Sequence, residues 1–361
     1  MMKHKRILVA PLDWGLGHAS RCIPIIRELR KQGAHVVIAA DERPLALLKE
    51  EFPICETVRL PGMDVEYPRR LPMSVFMAIK APRFFRTIQE ENENLAHIVR
   101  NYQIDGVISD NRYGLYHEEV PSVLITHQLF IQAPFFKRLL KRITANYIEK
   151  YNECWIPDFK GGDNLSGDLS HQTTHLKNLR FIGPISRFMG QSEREKEKGF
   201  KRKLMVILSG PEPSRSDCEK KLFKQLEQVD FEVLFVRGLV GADTHTEVFH
   251  HGKVEIKSHL SSEEMRNEIL QSEVILSRCG YSSVMDLAVL GKKAIFIPTE
   301  GQTEQEYLAK HLRAKNWFYT TTEKKLSLLK DIEKGKSFPG LKIDLSLDQV
   351  ETAVSDFLKK C

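Results

Sequence analysis

The sequence predicts an α/β protein with two Rossmann-like domains, each built on a parallel β-sheet. Short apolar runs are repeatedly followed by polar, glycine-bearing loops and then by segments with helical spacing, which is the pattern of βαβ units. This pattern begins near residue 6 and restarts near residue 203, after a stretch rich in charged residues. The length of 361 residues also exceeds one typical domain. We expect an N-terminal domain over residues 1–187, a linker over 188–202 and a C-terminal domain over 203–361.

The composition indicates a globular protein of the reduced cytoplasm. The hydrophobic content is 42% and the formal net charge is +6, which suits a folded protein and gives little support for nucleic-acid binding. The six cysteines are scattered and include no CxxC pair, a pattern that argues against structural zinc and against disulfides. No apolar run approaches the ~20 residues of a transmembrane helix, and the N-terminal apolar run is too short for a secretory signal.

A glycine-rich loop follows the first predicted strand. The apolar run from residue 7 to 10 leads into this loop, and a helix is expected from about residue 19 to 31. Ligands bind at this position in open parallel sheets. As a dinucleotide fingerprint, the loop has Gly15 and Gly17 but serine in the third glycine position, which weakens that interpretation. His18 ends the loop, either as a residue of the site or as an exposed histidine at a helix start.

Two further predicted strands end at candidate site residues. The run from residue 104 to 109 ends at Asp110, and the run from 123 to 126 ends at His127. If these strands belong to one parallel sheet, both ends lie on the same edge as His18. A carboxylate or a histidine can act as general base, although strand-end aspartates also often cap the following turn. We therefore regard His18, Asp110 and His127 as candidate catalytic residues.

The stretch from residue 273 to 307 predicts a second ligand loop. A short strand is followed by Gly280 and then by residues with helical spacing. Glycine at this position lets the backbone come close to a ligand. The amides of Tyr281 and Ser282 begin the helix, and helix N-termini bind phosphate groups. Asp286 is expected in about the first turn of that helix, where it either accepts hydrogen bonds from a ribose diol or balances the helix dipole.

This stretch resembles the nucleotide-sugar motif in the C-terminal domain of glycosyltransferase family 28. The family motif consists of a glycine, an acidic residue, a second glycine, a proline and two adjacent glutamines. The matching residues here are Gly280, Asp286, Gly291, Pro298 and Gln305. Two positions depart from the motif, because aspartate replaces the usual glutamate at residue 286 and Glu306 replaces the second glutamine. The resemblance implies the GT-B fold, in which two Rossmann-like domains face each other across a cleft and the last helix often packs back on the first domain.

The resemblance also implies how a nucleotide-sugar binds. Asp286 is expected to hold the ribose and Gln305 the sugar, whereas Glu306 leaves the identity of the sugar open. The backbone around Leu260 is expected to meet the base and to favour uracil. No metal or other cofactor is expected, because helix N-termini and His18 or Arg278 would replace the cation.

Three loops are expected to surround the phosphates by the same resemblance. The loop with Gly15, Gly17 and His18 matches the family's GxGH loop, which borders the acceptor and the donor phosphates. The loop at Ser209 and Gly210 loosely matches a family loop that contacts the donor phosphates. The third loop contains the residues Arg278, Gly280, Tyr281 and Ser282. The family's histidine corresponding to His127 is followed by glutamate, but Gln128 stands here, which predicts a different acceptor.

Two segments combine basic and apolar residues, namely 69–86 and 135–143. Basic amphipathic segments can lie on an anionic membrane surface, and the resembled family includes a peripheral membrane enzyme with a lipid-linked acceptor. The same segments are also compatible with ordinary amphipathic helices whose basic residues face water. The expected location is the cytoplasm, with contact at the inner face of the membrane if the first interpretation holds.

The sequence therefore predicts an inverting, metal-independent glycosyltransferase that uses a UDP-sugar, with UDP-N-acetylglucosamine as the first candidate. The acceptor is an unidentified molecule that includes the lipid-linked class. Two alternatives stay open on the same fold: a nucleotide-sugar hydrolase, in which water replaces the acceptor, and a nucleotide-binding module without catalysis. A dehydrogenase is a more distant alternative that requires NAD binding.

Overall fold

The computed structural model describes residues 4–62, 73–132, 137–190, 199–241, 246–343 and 347–361, with the backbone alone for residues 73–79. The chain forms two compact units, one of residues 1–187 with 346–361 and one of residues 188–345. Each unit is built on a sheet dominated by parallel strands, which confirms the predicted fold class. The last helix, which the resemblance allows to pack back on the first domain, belongs to the first unit, and the second unit ends at residue 345.

The first unit is built on a seven-stranded sheet. Its strands are β1 (Arg6–Pro11), β2 (His35–Ala40), β3 (Glu56–Arg59), β4 (Gly106–Asp110), β5 (Ser122–Ile125), β6 (Glu153–Ile156) and β7 (Leu179–Phe181). All of them pair in parallel, in the order β3-β2-β1-β4-β5-β6-β7. Strands β4 and β5 are buried along their whole length, as expected for central strands that helices cover on both faces.

Four helices of the first unit connect these strands. They are α1 (Leu16–Lys31), α2 (Glu42–Glu51), α3 (Met73–Asn101) and α4 (Lys137–Ile148), and a short 3₁₀ helix spans Gly167–Leu169. Helix α1 begins directly after the glycine-rich loop, with Gly15 as its N-cap residue. Its buried residues include Ile23, Ile26 and Leu29, which recur at helical spacing and pack that face into the core.

The second unit also has a seven-stranded sheet. Its strands are β8 (Arg202–Ile207), β9 (Val233–Val236), β10 (Thr246–Phe249), β11 (Val254–Lys257), β12 (Ser272–Arg278), β13 (Ala294–Ile297) and β14 (Tyr319–Thr320). The order is β10-β11-β9-β8-β12-β13-β14, and β10 pairs antiparallel with β11 at one edge. The helices are α5 (Ser214–Leu226), α6 (Ser262–Leu270), α7 (Tyr281–Val289), α8 (Thr303–Ala314) and α9 (Leu328–Ser337).

The last helix, α10 (Asp348–Lys360), belongs to the first unit, on which it packs with an apolar face. Its buried residues are spaced by three or four positions, as a packed helix face requires, and they are Val350, Ala353, Val354 and Phe357. The ring of Phe357 lies edge-on to Trp155 of β6, with 6.1 Å between ring centroids. Lys31 of α1 also donates to Glu351, with Nζ and Oε1 2.5 Å apart. These contacts fix α10 against the first sheet and α1.

Strand register places the candidate residues on two sheet edges. In the first sheet Pro11 lies opposite Asp110, and Asp110 lies opposite Ile125. The loops after β1, β4 and β5 therefore meet at one carboxyl edge. In the second sheet Arg278 lies opposite Ile297, so the loops after β12 and β13 are neighbours. Carboxyl edges of this kind are where ligands bind in parallel α/β sheets.

Candidate functional site

The carboxyl edge of the first sheet carries a buried pair of opposite charges, Asp110 and Arg21. Asp110 ends β4 and is fully buried, and Arg21 lies on α1 and is 2% exposed. Arg21 donates from Nε to Asp110 Oδ2 and from Nη2 to Asp110 Oδ1, so the guanidinium binds both carboxylate oxygens in a fork. Buried charges are tolerated when they are paired in this way. The pair therefore forms a rigid polar centre beneath the loop edge.

His18 contacts this pair from the first turn of α1. Its Nδ1 lies 2.8 Å from Asp110 Oδ1 and 2.8 Å from Arg21 Nη2. The side chain is 19% exposed, and no residue that the structure describes makes a hydrogen bond to Nε2. His18 and Asp110, which the sequence predicts on the same edge, therefore lie together, with one imidazole nitrogen turned to the carboxylate.

The charges of the cluster follow from burial and from Arg21. Burial and the positive charge of Arg21 lower the pKa of His18, and these effects exceed the opposing effect of Asp110. Burial alone would raise the pKa of Asp110, but Arg21 and His18 together lower that pKa to about 2. At neutral pH the carboxyl group is therefore ionised and His18 is neutral, which is the state that a general base requires.

His127 joins the cluster from the loop after β5. It is 4% exposed, and its Nδ1 lies 3.0 Å from Arg21 Nη1. The structure therefore brings together all three residues that the sequence singles out on this edge. The neighbouring Gln128 donates its backbone amide to Thr126 Oγ1, at 3.1 Å. This turn fixes the loop that carries His127.

Arg21 is the residue that the sequence reasoning missed. It stands three residues after His18 on the same helix, a spacing that places two side chains on one face. That spacing was the available signal. Arginine is usually exposed on helices, so the sequence gives no reason to expect Arg21 in the core. Its role becomes evident in the fold, where it pairs with the buried carboxylate of Asp110, 89 positions away in the chain.

A second buried arginine lies beside the glycine-rich loop. Arg112 is 1% exposed and donates to Glu91 Oε1 at 2.8 Å and to Asp13 Oδ2 at 3.3 Å. Asp13 belongs to the loop that precedes α1. Burial raises the pKa of Asp13 to about 6, in spite of the opposing charge of Arg112. Asp13 is therefore a titratable group near neutral pH at this edge, a property that clusters at functional sites.

Glycine is required at one place in this loop. Gly15, the N-cap of α1, has a φ angle of +149°, and a Cβ atom built there would meet no atom within 4 Å. A backbone of this conformation favours glycine. The first turn of α1 also contains no acidic residue, so the positive end of the helix dipole is not compensated within that turn. Gly17 and His18 lie in that turn.

The carboxyl edge of the second sheet presents the start of α7. Gly280 is the N-cap residue, so no side chain caps the helix, and the first turn has no acidic residue. The amides of Tyr281 and Ser282 belong to the first turn, whose N–H groups have no acceptor within a helix. Asp286 lies in the second turn and is 7% exposed. This geometry agrees with an anion site at the helix start.

Arg278, at the end of β12, is already paired in the structure. Its Nη1 donates to Glu323 Oε1 at 2.6 Å, and its Nη2 donates to the carbonyl oxygen of Ser214 at 3.1 Å. Arg278 is 2% exposed, and Glu323 also accepts from Lys221 at 2.8 Å. The positive charge that was expected to replace a cation is therefore balanced by a carboxylate.

The polar residues at the start of α8 bind their own loop. Gln305 accepts from the backbone amide of Thr299, with Oε1 and N 2.9 Å apart. Glu306 accepts from the amide of Gly301, also at 2.9 Å. Because both acceptor oxygens are used in this way, the loop after β13 is held against α8, and the amide group of Gln305 is oriented by its partner oxygen.

The remaining donor-site candidates lie on two further loops of the second unit. Ser209 and Gly210 follow β8, where Gly210 has a φ angle of +112° and open space at the Cβ position. Leu260 lies between β11 and α6 and is 2% exposed, so its backbone rather than its side chain is what a ligand can meet. Ser261 begins α6 with a capping box to Glu264, which fixes the backbone at this position.

Two searches of the described residues gave no result. No group of three or more His, Cys, Asp or Glu side chains is arranged to hold a metal ion there. Among the same residues, no helix combines the length and the apolar character needed to cross a bilayer.

Comparisons with known proteins agree with this arrangement. Residues 215–339 match the model of the glycosyltransferase family 28 C-terminal domain. A UDP-N-acetylglucosamine–N-acetylmuramyl-(pentapeptide) pyrophosphoryl-undecaprenol N-acetylglucosamine transferase of Haemophilus influenzae (strain PittEE) is 24% identical over 320 residues, which is 86% of this chain and 83% of the relative. The enzyme with the same name from Pasteurella multocida (strain Pm70) is 24% identical over 323 residues, which is 85% and 81% of the two chains.

Solved structures show the same fold. The glycotransferase of kitacinnamycin has a TM-score of 0.63 at 13% identity, with 99% of this chain and 96% of that chain covered. The glycosyltransferase SnogD from Streptomyces nogalater has a TM-score of 0.61 at 14% identity, with coverage of 99% and 100%. MurG from Acinetobacter baumannii has a TM-score of 0.52 at 12% identity, with coverage of 98% and 99%. The chain therefore has the GT-B fold and is a glycosyltransferase, and its residues 215–339 are similar to the family 28 C-terminal domain.

Proposed function

We propose that this glycosyltransferase is inverting and metal-independent, and that it moves a sugar from a UDP-sugar to a hydroxyl group of a lipid-linked acceptor. UDP-N-acetylglucosamine is the first donor to test, because the two relatives that match most of the chain are named for transfer of N-acetylglucosamine to a lipid-linked acceptor. The observation that carries the proposal is the contact of His18 Nδ1 with Asp110 Oδ1 at 2.8 Å, because it supplies the general base that inverting transfer needs.

In the proposed reaction His18 accepts the proton of the acceptor hydroxyl. The hydroxyl oxygen attacks the anomeric carbon of the donor sugar on the face opposite UDP. The new bond joins that oxygen to the anomeric carbon, the bond from the anomeric carbon to the phosphate oxygen breaks, and UDP leaves with the bonding electron pair. The resulting imidazolium of His18 is stabilised by the ionised carboxylate of Asp110, as in other histidine–aspartate pairs.

The second unit is proposed to bind the donor. The N-terminus of α7 and the loop at Ser209 and Gly210 provide backbone amides for the diphosphate, where they stabilise the negative charge of the leaving group. Asp286 accepts hydrogen bonds from the ribose diol. The backbone near Leu260 meets the uracil ring. In this proposal no metal ion is required, because the amides and the helix dipole balance the charge of the diphosphate.

Gln305 and Glu306 are proposed to select the donor sugar. Since Gln305 Oε1 accepts from the amide of Thr299, the NH₂ group of Gln305 is the part that can donate to sugar hydroxyl oxygens. Glu306, where the family has glutamine, adds an acceptor on the neighbouring side of the loop. Arg278, which pairs with Glu323, is assigned a supporting role, in which it holds the end of β12 in place.

The acceptor side is proposed to approach a membrane from the cytoplasm. Helix α4 exposes Leu139 by 54% among basic side chains, and α3 exposes Phe85 by 40%. The ring of Phe85 stacks on Tyr147 of α4 with centroids 6.5 Å apart, so the two helices that carry parts of the predicted segments 69–86 and 135–143 meet there. Residues 69–72, 135 and 136 of those segments lie outside the described residues. Exposed apolar groups within a basic surface suit anionic lipid.

The first experiment on this proposal is calorimetric titration of the purified chain with UDP, TDP, GDP and NAD in the presence of a chelator. Selective binding of UDP supports the donor assignment and leads to a turnover assay with UDP-sugars and lipid-linked acceptors. Preferential binding of TDP or GDP would mean that the donor is a TDP-sugar or a GDP-sugar instead of a UDP-sugar. Release of free sugar without an acceptor would support a hydrolase instead, and NAD binding or no nucleotide binding would contradict the proposal.

A further inference from the structure

We propose that Arg21 is a positioning residue that fixes opposite tautomers on the two histidines of the first unit. In this arrangement His18 is the proton acceptor, and His127 is a hydrogen-bond donor to an oxygen atom of the bound acceptor. The roles in catalysis rest on the proposed function, whereas the tautomers themselves rest on the geometry of one guanidinium group, one carboxylate and two imidazole rings.

The tautomer of His127 follows from what a guanidinium group can do. Arg21 has five N–H donors and no acceptor. Its Nη1 lies 3.0 Å from His127 Nδ1, so Nδ1 must accept this hydrogen bond with its lone pair. A neutral imidazole carries one N–H group, and here it must be at Nε2. His127 therefore presents a donor at Nε2, and it has no free lone pair at Nδ1 with which to act as base.

The tautomer of His18 follows from the neighbouring carboxylate. Asp110 is ionised and can only accept hydrogen bonds, and its Oδ1 lies 2.8 Å from His18 Nδ1. The proton of His18 is therefore on Nδ1. The Nη2 group of Arg21 also lies 2.8 Å from that nitrogen, and one of its two N–H groups donates to Asp110 Oδ1. An unprotonated Nδ1 would set its lone pair against the carboxylate oxygen 2.8 Å away, so the carboxylate decides the tautomer. This leaves the lone pair of His18 at Nε2, the nitrogen to which no described residue makes a hydrogen bond.

Arg21 is the group that makes the two rings differ. It directs three nitrogens at the cluster, with Nε and Nη2 on Asp110 and Nη1 on His127. Without the carboxylate held in the fork, His18 would lose the acceptor for its Nδ1 proton. Without Nη1, the Nδ1 atom of His127 would lose the donor that Arg21 supplies. The nearby thiol of Cys22, with Sγ 3.9 Å from Asp110 Oδ2, stays neutral because burial raises its pKa.

Nitrogen NMR tests the tautomers without any substrate. The full chain is labelled with ¹⁵N-histidine, and long-range ¹H–¹⁵N correlations are recorded near pH 7.5, with His18→Gln and His127→Gln used for assignment. We expect the Nδ1-protonated form at His18 and the Nε2-protonated form at His127. Protonation of both rings at the same position would overturn the inference.

Arg21→Lys tests whether the arginine is the cause. Lysine keeps a positive charge but lacks the planar fork, so His127 should lose its preference for the Nε2 tautomer. Arg202→Lys is a matched control, because Arg202 is also a buried arginine, 5% exposed, that binds the two carboxylates of Glu255 and Glu268 in the second unit. An unchanged His127 spectrum in folded Arg21→Lys would contradict the role of Arg21.

Turnover of the glutamine variants provides a test that does not depend on the stability of Arg21 variants. A glutamine amide can donate a hydrogen bond but cannot accept a proton at neutral pH. His127→Gln should therefore lower turnover less than about tenfold, the loss of roughly one hydrogen bond. His18→Gln should lower it by about 10²- to 10⁴-fold. Equal losses in the two variants would overturn the division of roles.

The tautomers and the proposed function can fail separately. If the spectra agree but no nucleotide binds, the inference on tautomers stands and the transferase proposal fails. If UDP binds and sugar is transferred while both rings have the same tautomer, the transferase proposal stands and the inference fails.

Discussion

The carboxyl edges of the two sheets differ in the kind of group that they present. The first edge has a fully buried ion pair, Arg21 with Asp110, and two imidazole rings in contact with it. The second edge presents the start of α7 at Gly280 and polar side chains that bind their own loop. Under the proposed function the two similar halves have different tasks, which are proton transfer in the first unit and binding of an anionic donor in the second.

The difference has an energetic basis. A proton acceptor must be held in one protonation state and one orientation, which a buried salt bridge achieves at a cost in desolvation. A diphosphate is instead bound by several backbone amides, which are already oriented by the helix and carry no desolvation cost of a full charge. Side chains such as Gln305 and Glu306 then need to hold the loop in shape, which is what their bonds to Thr299 and Gly301 do.

The largest effect is expected when the base of the first unit is removed. His18→Ala should lower turnover by about 10²- to 10⁴-fold, the usual contribution of a general base, and should leave UDP affinity nearly unchanged. Steady-state turnover and calorimetry on the same preparation measure both quantities. If turnover survives, the base lies elsewhere, and Asp110 is the next residue to test.

The second largest effect is expected on stability, when the buried ion pair of Arg21 and Asp110 is broken. Asp110→Asn leaves Arg21 buried without its carboxylate, which should lower the free energy of unfolding by about 3–5 kcal/mol at pH 7. Urea denaturation measures this loss. The double variant Arg21→Met with Asp110→Asn should lose less than the sum of the single variants, because neither charge is then left unpaired. Additive losses would contradict a direct pairing.

The same pair predicts how stability depends on acid. The pKa of Asp110 falls from 3.8 to about 2 on folding, so the unfolded chain binds more protons between these values. The stabilisation by this carboxylate, roughly 2–3 kcal/mol, is therefore present above pH 3.8 and is lost as the pH falls toward 2. The difference in unfolding free energy between the wild type and Asp110→Asn should shrink over the same interval. A constant difference would indicate that Asp110 is not ionised.

The contribution of Asp13 to stability should depend on pH in the opposite direction. Its pKa rises from 3.8 to about 6 on folding, so the folded chain binds more protons in that interval and loses stability as the pH rises through it. Asp13→Asn should therefore stabilise the protein by about 1–3 kcal/mol at pH 8 and by much less at pH 4. Thermal unfolding at both pH values measures this. Equal effects at pH 4 and pH 8 would argue against a raised pKa.

The smallest effect is expected on the donor side. Asp286→Ala should weaken UDP binding by about 1–3 kcal/mol, the value of a hydrogen bond to a charged group, with the fold unchanged. Calorimetric titration measures it. Unchanged affinity would remove Asp286 from the donor site and weaken the contrast between the two sheet edges.

Much of the fold could be predicted because strand–loop–helix order is local. The apolar run predicted as a strand over residues 7–10 lies within β1, and the helix expected after Gly280 is α7. The three candidate residues on the first edge could also be predicted, since parallel register follows from the order of the strands. The structure then places Asp110 beside Pro11 and Ile125.

The rest depended on contacts between distant parts of the chain. In the sequence, nothing distinguishes Arg21 from an ordinary exposed helix residue, and its pairing with Asp110 is evident only in the folded chain. Asp13 looks like an ordinary loop aspartate in the sequence, and its pKa of about 6 arises because folding buries the carboxyl group, in spite of the opposing charge of Arg112. The resemblance implied that the last helix can pack back on the first domain, but the contact that fixes it, Phe357 against Trp155, is set by tertiary packing. These features depend on which side chains tertiary packing buries, which residue spacing does not specify.

We propose that proton transfer and donor binding are divided between the two units. A single series with His18→Gln and Asp286→Ala tests this division, with UDP affinity from calorimetry and product formation at saturating UDP-sugar. His18→Gln should bind UDP as the wild type does but form product about 10²- to 10⁴-fold more slowly. Asp286→Ala should bind UDP more weakly and approach wild-type turnover at saturation. Loss of UDP affinity in His18→Gln together with wild-type affinity in Asp286→Ala would contradict this division.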